Sequence, residues 1–172
     1  MHLDLGDAQC VRSYVAADAA ALVRYANNAA VARGLRERFP HPYTRADAET
    51  FLRGVAAALV DSDFAIATPA EVIGGIGVQR QADVHRLTAE VGYWLGEPFW
   101  GRGIATRALA AMSEWLFATT PLERLFACVF ETNPASARVL EKAGYSFEGR
   151  MRRAVFKDGR VLDQLLYARL RP

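Results

Sequence analysis

Two short stretches in this chain carry residue types suited to binding an anionic cofactor. The first runs Leu95-Gly96-Glu97-Pro98-Phe99-Trp100-Gly101-Arg102-Gly103-Ile104-Ala105-Thr106. A strand ends, a short loop follows, and Gly-x-Gly-x-Ala opens a helix. Small residues let the backbone approach a ligand closely. A helix start offers unpaired N–H groups and a partial positive charge. Together they form an anion site suited to a pyrophosphate, and Arg102 can add a charge-assisted hydrogen bond. Gly-x-Gly also occurs in other settings. A dinucleotide fingerprint needs a further glycine where Thr106 stands. A P-loop needs Gly-Lys-Ser/Thr, which is absent. A tight strand-to-helix turn with no ligand stays open. The second stretch begins at Asn133-Pro134-Ala135-Ser136, 30 residues after Gly103. Asn is a good N-cap and Pro is favoured at the first helical position, so the stretch opens a helix.

The elements that must position these residues follow from periodicity and breakers. Cys10 to Val15 reads as a strand. An Ala-rich helical stretch runs from Asp18 to about Arg38, broken near Asn27-Asn28. Pro40-His41-Pro42 forces a turn. Thr44 with Asp47 opens a helix to about Leu59. Phe64 to Thr68, Val72 to Gln79 and Thr88 to Gly96 read as strands, and Gly74, Gly75 and Gly77 mark a bulge or a close backbone approach in the second. A helix from the glycine turn to about Thr119 places Ala105, Ala108, Leu109, Met112 and Leu116 on one face. Arg124 to Phe130 is a strand, and the Asn133 helix stops at Gly144. Tyr145 to Phe147 reads as a short strand. Arg153 to Phe156 and Val161 to Leu170 flank Asp158-Gly159, a hairpin signal. This order predicts an α/β or α+β domain with a mixed sheet.

The 172 residues favour one domain spanning 1–172, with 52% hydrophobic and 23% charged residues, as in an ordinary globular protein. Of 21 basic residues, 19 are Arg, a bias that composition alone can explain. The net charge of +2 gives no electrostatic case for nucleic acid. No apolar run has membrane-spanning length, and the first residues do not form a signal peptide. Cys10 and Cys128 show no scaffold or metal spacing, and two reduced thiols fit a cytoplasmic protein. No His/Cys/carboxylate cluster suggests a metal.

The glycine turn and the Asn133 segment, taken together, resemble the acetyl-CoA-binding core of the GNAT N-acetyltransferases. The first is similar to their Gln/Arg-x-x-Gly-x-Gly/Ala motif, the second to Asn-x-x-Ser/Ala…Gly-Phe/Tyr. The phrases Glu90-Val91-Gly92-Tyr93-Trp94-Leu95 and Phe99 to Thr106 resemble the ribosomal-protein (RimJ/RimL-like) branch. The resemblance covers nearly the whole chain. It implies a mixed, splayed sheet flanked by helices, with acetyl-CoA as co-substrate and no metal. It implies an amine acceptor, either a protein N-terminus or a small molecule, and a monomer or homodimer. A catalytically silent acyl-CoA-binding module is the alternative.

The resemblance also implies roles. Backbone groups of Trp94, Leu95 and Gly96 would pair with the pantetheine arm. N–H groups of Gly101, Arg102, Gly103, Ile104, Ala105 and Thr106 would hold the pyrophosphate, and Asn133 would hydrogen-bond the pantetheine. Trp100 stands where many relatives have Gln or Arg. A strand N–H around Leu95 would be the oxyanion donor. Two family positions for a basic Glu hold Cys128 and Val155, and the position of a family Tyr acid holds Leu140. The histone-acetyltransferase branch instead implies Glu90 as general base, on the same strand face as Gly92, Trp94 and Gly96. Ser136 would be the acid. The acceptor pocket would draw on Arg33, Arg36, Arg38, His41 and Tyr43. If these line it, an acceptor bearing a carboxylate or a negative patch is favoured.

Overall fold

The computed structural model describes residues 1–57 and 62–172. It contains β1 (His2–Gly6), β2 (Gln9–Arg12), α1 (Ala19–Ala26), α2 (Ala29–Arg33), α3 (Arg45–Ala57), β3 (Asp63–Ala67), β4 (Val72–Arg80) and β5 (Thr88–Leu95). These are followed by α4 (Ile104–Thr119), β6 (Arg124–Phe130), α5 (Pro134–Lys142), β7 (Ser146–Lys157) and β8 (Arg160–Leu170). The strand order is β1-β2-β3-β4-β5-β6-β8-β7. The sheet is mixed, as expected: β5–β6 is parallel, and the β1–β2, β2–β3, β3–β4, β6–β8 and β7–β8 ladders are antiparallel. The chain groups into two compact units, Met1–Gly77 with Tyr93–Ala108 and Val78–Gly92 with Leu109–Pro172. No described helix is long and apolar enough to cross a membrane.

In the first unit, α1 and α3 bury small and branched side chains against the sheet. Ala19, Ala21, Leu22 and Ala26 of α1 and Ala48 and Leu52 of α3 join Ala65, Ala67 and Val72. The start of α1 is tied to β2 by ionic hydrogen bonds. Arg12 donates to both carboxylate oxygens of the buried Asp18 at 2.8 Å, and Asp18 also accepts the Val15 N–H at 2.9 Å. Such a bidentate pair compensates the buried charge. The helical run breaks at Asn27-Asn28, as expected. Asn28 caps α2 by accepting the N–H groups of Ala30 and Val31. That helix ends at Arg33, capped by Gly34, five residues short of the predicted end. The Thr44/Asp47 start of α3 holds: Asp47 accepts the Thr44 N–H at 2.8 Å. Its predicted end at Leu59 lies outside the described residues.

Two expectations need correction. β1 is a strand that the sequence reading did not identify. It pairs with β2 through a turn in which Asp7 and Ala8 both take positive φ (51° and 58°). That is the backbone of a tight hairpin, made without the Asp-Gly signal. The two short strands predicted at Tyr145–Phe147 and Arg153–Phe156 are one strand, β7. Register shifts between Phe147 and Gly149 and between Met151 and Val155 interrupt its alternation, and Arg153 sits at φ 55°. The Asp158-Gly159 hairpin is present, with φ of 50° and 73°.

In the second unit, Leu109, Met112 and Leu116 of α4, Leu125 of β6 and Leu140 of α5 are buried. Ser113 donates to the Leu109 carbonyl at 2.7 Å and lies 2.9 Å from the Tyr145 hydroxyl, which satisfies both buried hydroxyls.

Candidate active site

The glycines of β4 explain how the end of β5 is placed. A Cβ on Gly74 would lie 2.4 Å from the Trp94 carbonyl oxygen, and one on Gly75 would lie 2.4 Å from the Tyr14 hydroxyl and 2.7 Å from Trp94 Nε1. No side chain fits there, so the expected close backbone approach is present. Just past β5, Gly96 donates its N–H to the Ile73 carbonyl at 2.8 Å. A Cβ on Gly96 would lie 3.0 Å from the Tyr25 ring.

This register decides which backbone groups are available. Along a strand, the N–H and C=O of one residue point to one edge and those of the next point to the other. Gly96 and Trp94 face β4, so Leu95 faces away from it. The Leu95 carbonyl accepts the Trp100 indole N–H at 2.7 Å. The Leu95 N–H points the same way as that carbonyl. Of the three residues expected to pair with a ligand, Leu95 has the outward-directed amide. Trp100, a residue 46% exposed, braces the end of the strand through this bond.

The turn that follows has two left-handed residues, Gly101 at φ 75° and Gly103 at φ 73°. Left-handed backbone costs other L-residues roughly 1–2 kcal/mol, so glycine is favoured here. Successive amides in such turns converge into a concave anion site, and α4 begins immediately behind it with 16 residues of aligned dipole. Arg102 is exposed, with its guanidinium 5.7 Å from the Phe99 ring centre.

The candidates for acceptor binding fall in the first unit. Arg33 ends α2 and is exposed, and Arg36 and His41 are exposed on the loop that follows. Tyr43 differs from its expected place at a pocket surface. It is 6% exposed and belongs to the apolar core, with its ring 5.3 Å from Phe39. Burial first, then the nearby Asp47, pushes its phenol up to about 12. Phe39, which sequence reasoning did not single out, also packs edge-on against Trp94 at 5.5 Å. An aromatic directly before the Pro40-His41-Pro42 turn gives no sequence signal of this contact. Asn28 donates to Glu97 at 2.7 Å, and Tyr25 donates to Glu71 at 2.7 Å. Both bonds tie the helical pair to the strand ends beside the glycine turn.

The remaining candidates fall in the second unit. Glu90 is half-buried on β5, at the last of three parallel pairs, opposite Phe126. Asn133 and Ser136 come together in the first turn of α5. Asn133 Oδ1 accepts the Ser136 N–H at 3.2 Å, so Asn133 is the N-cap and Ser136 is half-buried beside it. Glu90 and Ser136 thus stand on different elements. Cys128 is half-buried opposite Leu166, Val155 sits opposite Leu162, and Leu140 is fully buried. Tyr145 is buried on Ser113, and burial pushes its phenol up to about 12. Tyr167 is buried and donates to Glu141 at 3.1 Å; burial first, then that hydrogen bond, raises its phenol. Cys10 and Cys128 form no disulfide, and both are half-buried.

A mixed sheet, a glycine turn after β5 and α4 rising from that turn make the arrangement that the sequence motifs predict. The acetyltransferase (GNAT) domain family matches residues 10–146, and the chain belongs to it. It is 34% identical over 102 residues to the uncharacterized N-acetyltransferase YoaA of Bacillus subtilis, covering 59% of this chain and 57% of that protein. It is 35% identical over 100 residues to the ribosomal-protein-serine acetyltransferase of Escherichia coli, covering 58% of this chain and 55% of that protein. The chain spans little more than half the length of these relatives. RimJ of Mycobacterium smegmatis, solved in complex with CoA-disulfide, matches with a TM-score of 0.83 and 26% identity over 94% of this chain and 81% of that one.

Proposed function

We propose that this chain, taken as one domain over 1–172, is an acetyl-CoA-dependent N-acetyltransferase. It moves the acetyl group to a primary amine, a protein N-terminus or a small molecule, by direct attack in a ternary complex. The observation that carries this reading is the left-handed pair Gly101 and Gly103 directly before α4, after a strand whose Leu95 amide points outward. Family membership and the CoA-bound relative support the same ligand. No metal is invoked: among the described residues no three His, Cys, Asp or Glu side chains form a group that could hold one.

The turn amides from Gly101 to Thr106, with Arg102, would take the pyrophosphate. The Leu95 N–H, with the strand around Trp94 and Gly96, would take the thioester end of the pantetheine. Asn133 Oδ1 is used in capping, so its amide nitrogen is the group we assign to the cofactor. The amine nitrogen attacks the thioester carbonyl, a C–N bond forms, and the C–S bond breaks. Glu90, directly or through a water, takes the proton the amine loses. The Leu95 N–H stabilises the oxyanion. Ser136 donates a hydrogen bond to the departing thiolate, which takes its proton from solvent. Arg33, Arg36 and His41 are assigned to the acceptor side.

Thiol release from acetyl-CoA against a panel of amines and N-terminal peptides tests the reading. Turnover is expected with at least one acceptor. Glu90→Gln is expected to lower kcat by about 10²–10⁴ and remove the acid limb of its pH profile. If Glu90→Gln and Ser136→Ala both leave kcat and its pH profile unchanged, these catalytic assignments are wrong. The buried Leu140 and the Cys128 and Val155 substitutions favour a silent acyl-CoA-binding module as the second reading. Tight binding of acetyl-CoA with no turnover on any acceptor decides for it.

A further inference from the structure

Arg107 has no role in the scheme above, yet its side chain runs directly beneath the glycine turn. Its Nη1 donates to the Arg102 carbonyl at 3.2 Å. Its Nη2 donates to Gln9 Oε1 at 2.7 Å and lies 3.4 Å from Asp7 Oδ2. Its Nε is buried and has no hydrogen-bond partner among the described residues. A Cβ on Gly103 would lie 3.4 Å from Nη1, so the guanidinium packs against the turn itself.

The peptide unit joining Arg102 to Gly103 is planar and trans, so its C=O and N–H point in opposite directions. Holding the Arg102 carbonyl on one side turns the Gly103 N–H to the other. Without a constraint this unit can flip, because glycine accepts positive and negative φ almost equally. A flip reverses the amide and replaces a donor with a carbonyl oxygen facing the anion. The hydrogen bond from Arg107 selects the orientation with Gly103 at φ 73°. Gln9 opens β2, and Asp7 lies in the β1–β2 turn, so the hairpin supplies the other end of the brace.

We infer that Arg107 is a positioning residue that fixes the Gly103 amide towards the cofactor pyrophosphate, with the β1–β2 hairpin as its anchor. The inference rests on the reading of this turn as the pyrophosphate site. It predicts an effect confined to ligands that carry the pyrophosphate, which a general loss of packing would not produce.

Calorimetric titration of the full chain with CoA and with S-acetylpantetheine, which lacks the pyrophosphate, tests it. Arg107→Met is expected to bind CoA roughly 10- to 100-fold more weakly, the loss of one hydrogen bond from a charged donor, and S-acetylpantetheine as the wild type does. Arg107→Lys is expected to recover part of the CoA affinity, since an ammonium can still reach the Arg102 carbonyl. Gln9→Ala is expected to weaken CoA binding less, and to add nothing in the Arg107→Met background. Equal binding of CoA by wild type and Arg107→Met overturns the inference, as does a parallel loss of both ligands. Should Arg107→Met fail to fold, Arg107→Lys and Gln9→Ala decide: both matching wild type for CoA overturns it. A wild type that binds neither ligand overturns the functional reading and this inference with it. A wild type that binds CoA while the variants match it overturns this inference alone.

Discussion

α4 starts behind Gly103, a residue with no side chain to offer, whereas α5 starts behind Asn133, whose Oδ1 accepts the Ser136 N–H, with Pro134 filling the first position. Every helix start has unpaired amides that need a partner. α5 supplies one from its own sequence. At α4 the residue before the helix cannot supply one, and the two left-handed glycines turn further amides to the same place. A strong cap and a strong anion site are competing uses of the same amides. Where a sequence omits the cap and holds the backbone from behind, here with Arg107 and the Trp100 indole, the amides are kept for a ligand.

Substituting the glycine turn should break this comparison most severely. In Gly103→Val the branched side chain must adopt φ near 73° against the Arg107 guanidinium. We expect CoA affinity to fall by about 100-fold or more while the circular dichroism spectrum is retained. An unchanged affinity would show that the turn amides do not hold the ligand. Asn133 separates the two uses more finely. Asn133→Ala should lose the cap, about 1 kcal/mol, and lower Tm by about 2–4 °C in a chain of this size. Asn133→Ser keeps a capping oxygen and should keep Tm. If the Asn133 amide also serves the cofactor, both variants weaken CoA binding by up to about tenfold, as read by calorimetry. Normal binding by the Ser variant would make Asn133 a cap and nothing more.

A smaller effect should follow from Trp100→Phe, which keeps an aromatic ring but leaves the Leu95 carbonyl without its 2.7 Å donor. Urea unfolding should report a loss of about 0.5–1.5 kcal/mol. The smallest effect should come from acid. Asp163 accepts the Arg153 backbone N–H at 2.8 Å and Arg150 at 2.9 Å, and donates its own N–H to Glu131, two residues before Asn133. The Arg153 amide first, and then Arg150, hold its carboxyl below the ordinary 3.8. A carboxyl lowered in the folded state contributes stability above its unfolded value and loses it as pH falls through the folded value. Tm should therefore drop as pH falls below 3.8, and Asp163→Asn should flatten that limb. Hydrogen-exchange protection in α5 should weaken before that in α4. The reverse order would show that the Asp163 network does not support the Asn133 turn.

The strands and helices around the two helix starts were readable because their apolar spacing is unbroken and their stop signals are strong. β6 matches its predicted limits, and α4 ends where the pattern ends. β1 was not readable because its turn uses Asp7 and Ala8 in a conformation that favours glycine and asparagine. β7 reads as two strands because its register shifts at Glu148 and around Arg153 change which face each side chain meets. In the site, the glycine turn was legible as a pattern of residue types. The outward direction of Leu95, the indole brace and the Arg107 brace were not, because each depends on register or on a partner 5 to about 100 residues away. Tyr43 looked like a surface residue beside basic neighbours, yet its ring was needed to fill the core behind Phe39.

The Trp100 indole has a practical consequence. Its N–H is tied to a carbonyl at the end of β5, while the residue is 46% exposed directly before Gly101. An indole fixed at one end and wetted on its face emits light that shifts when nearby water is displaced. The chain therefore carries its own optical reporter at the mouth of the turn. A blue shift on adding CoA, lost in Trp100→Phe, would allow binding to be followed in real time without a label or a known acceptor.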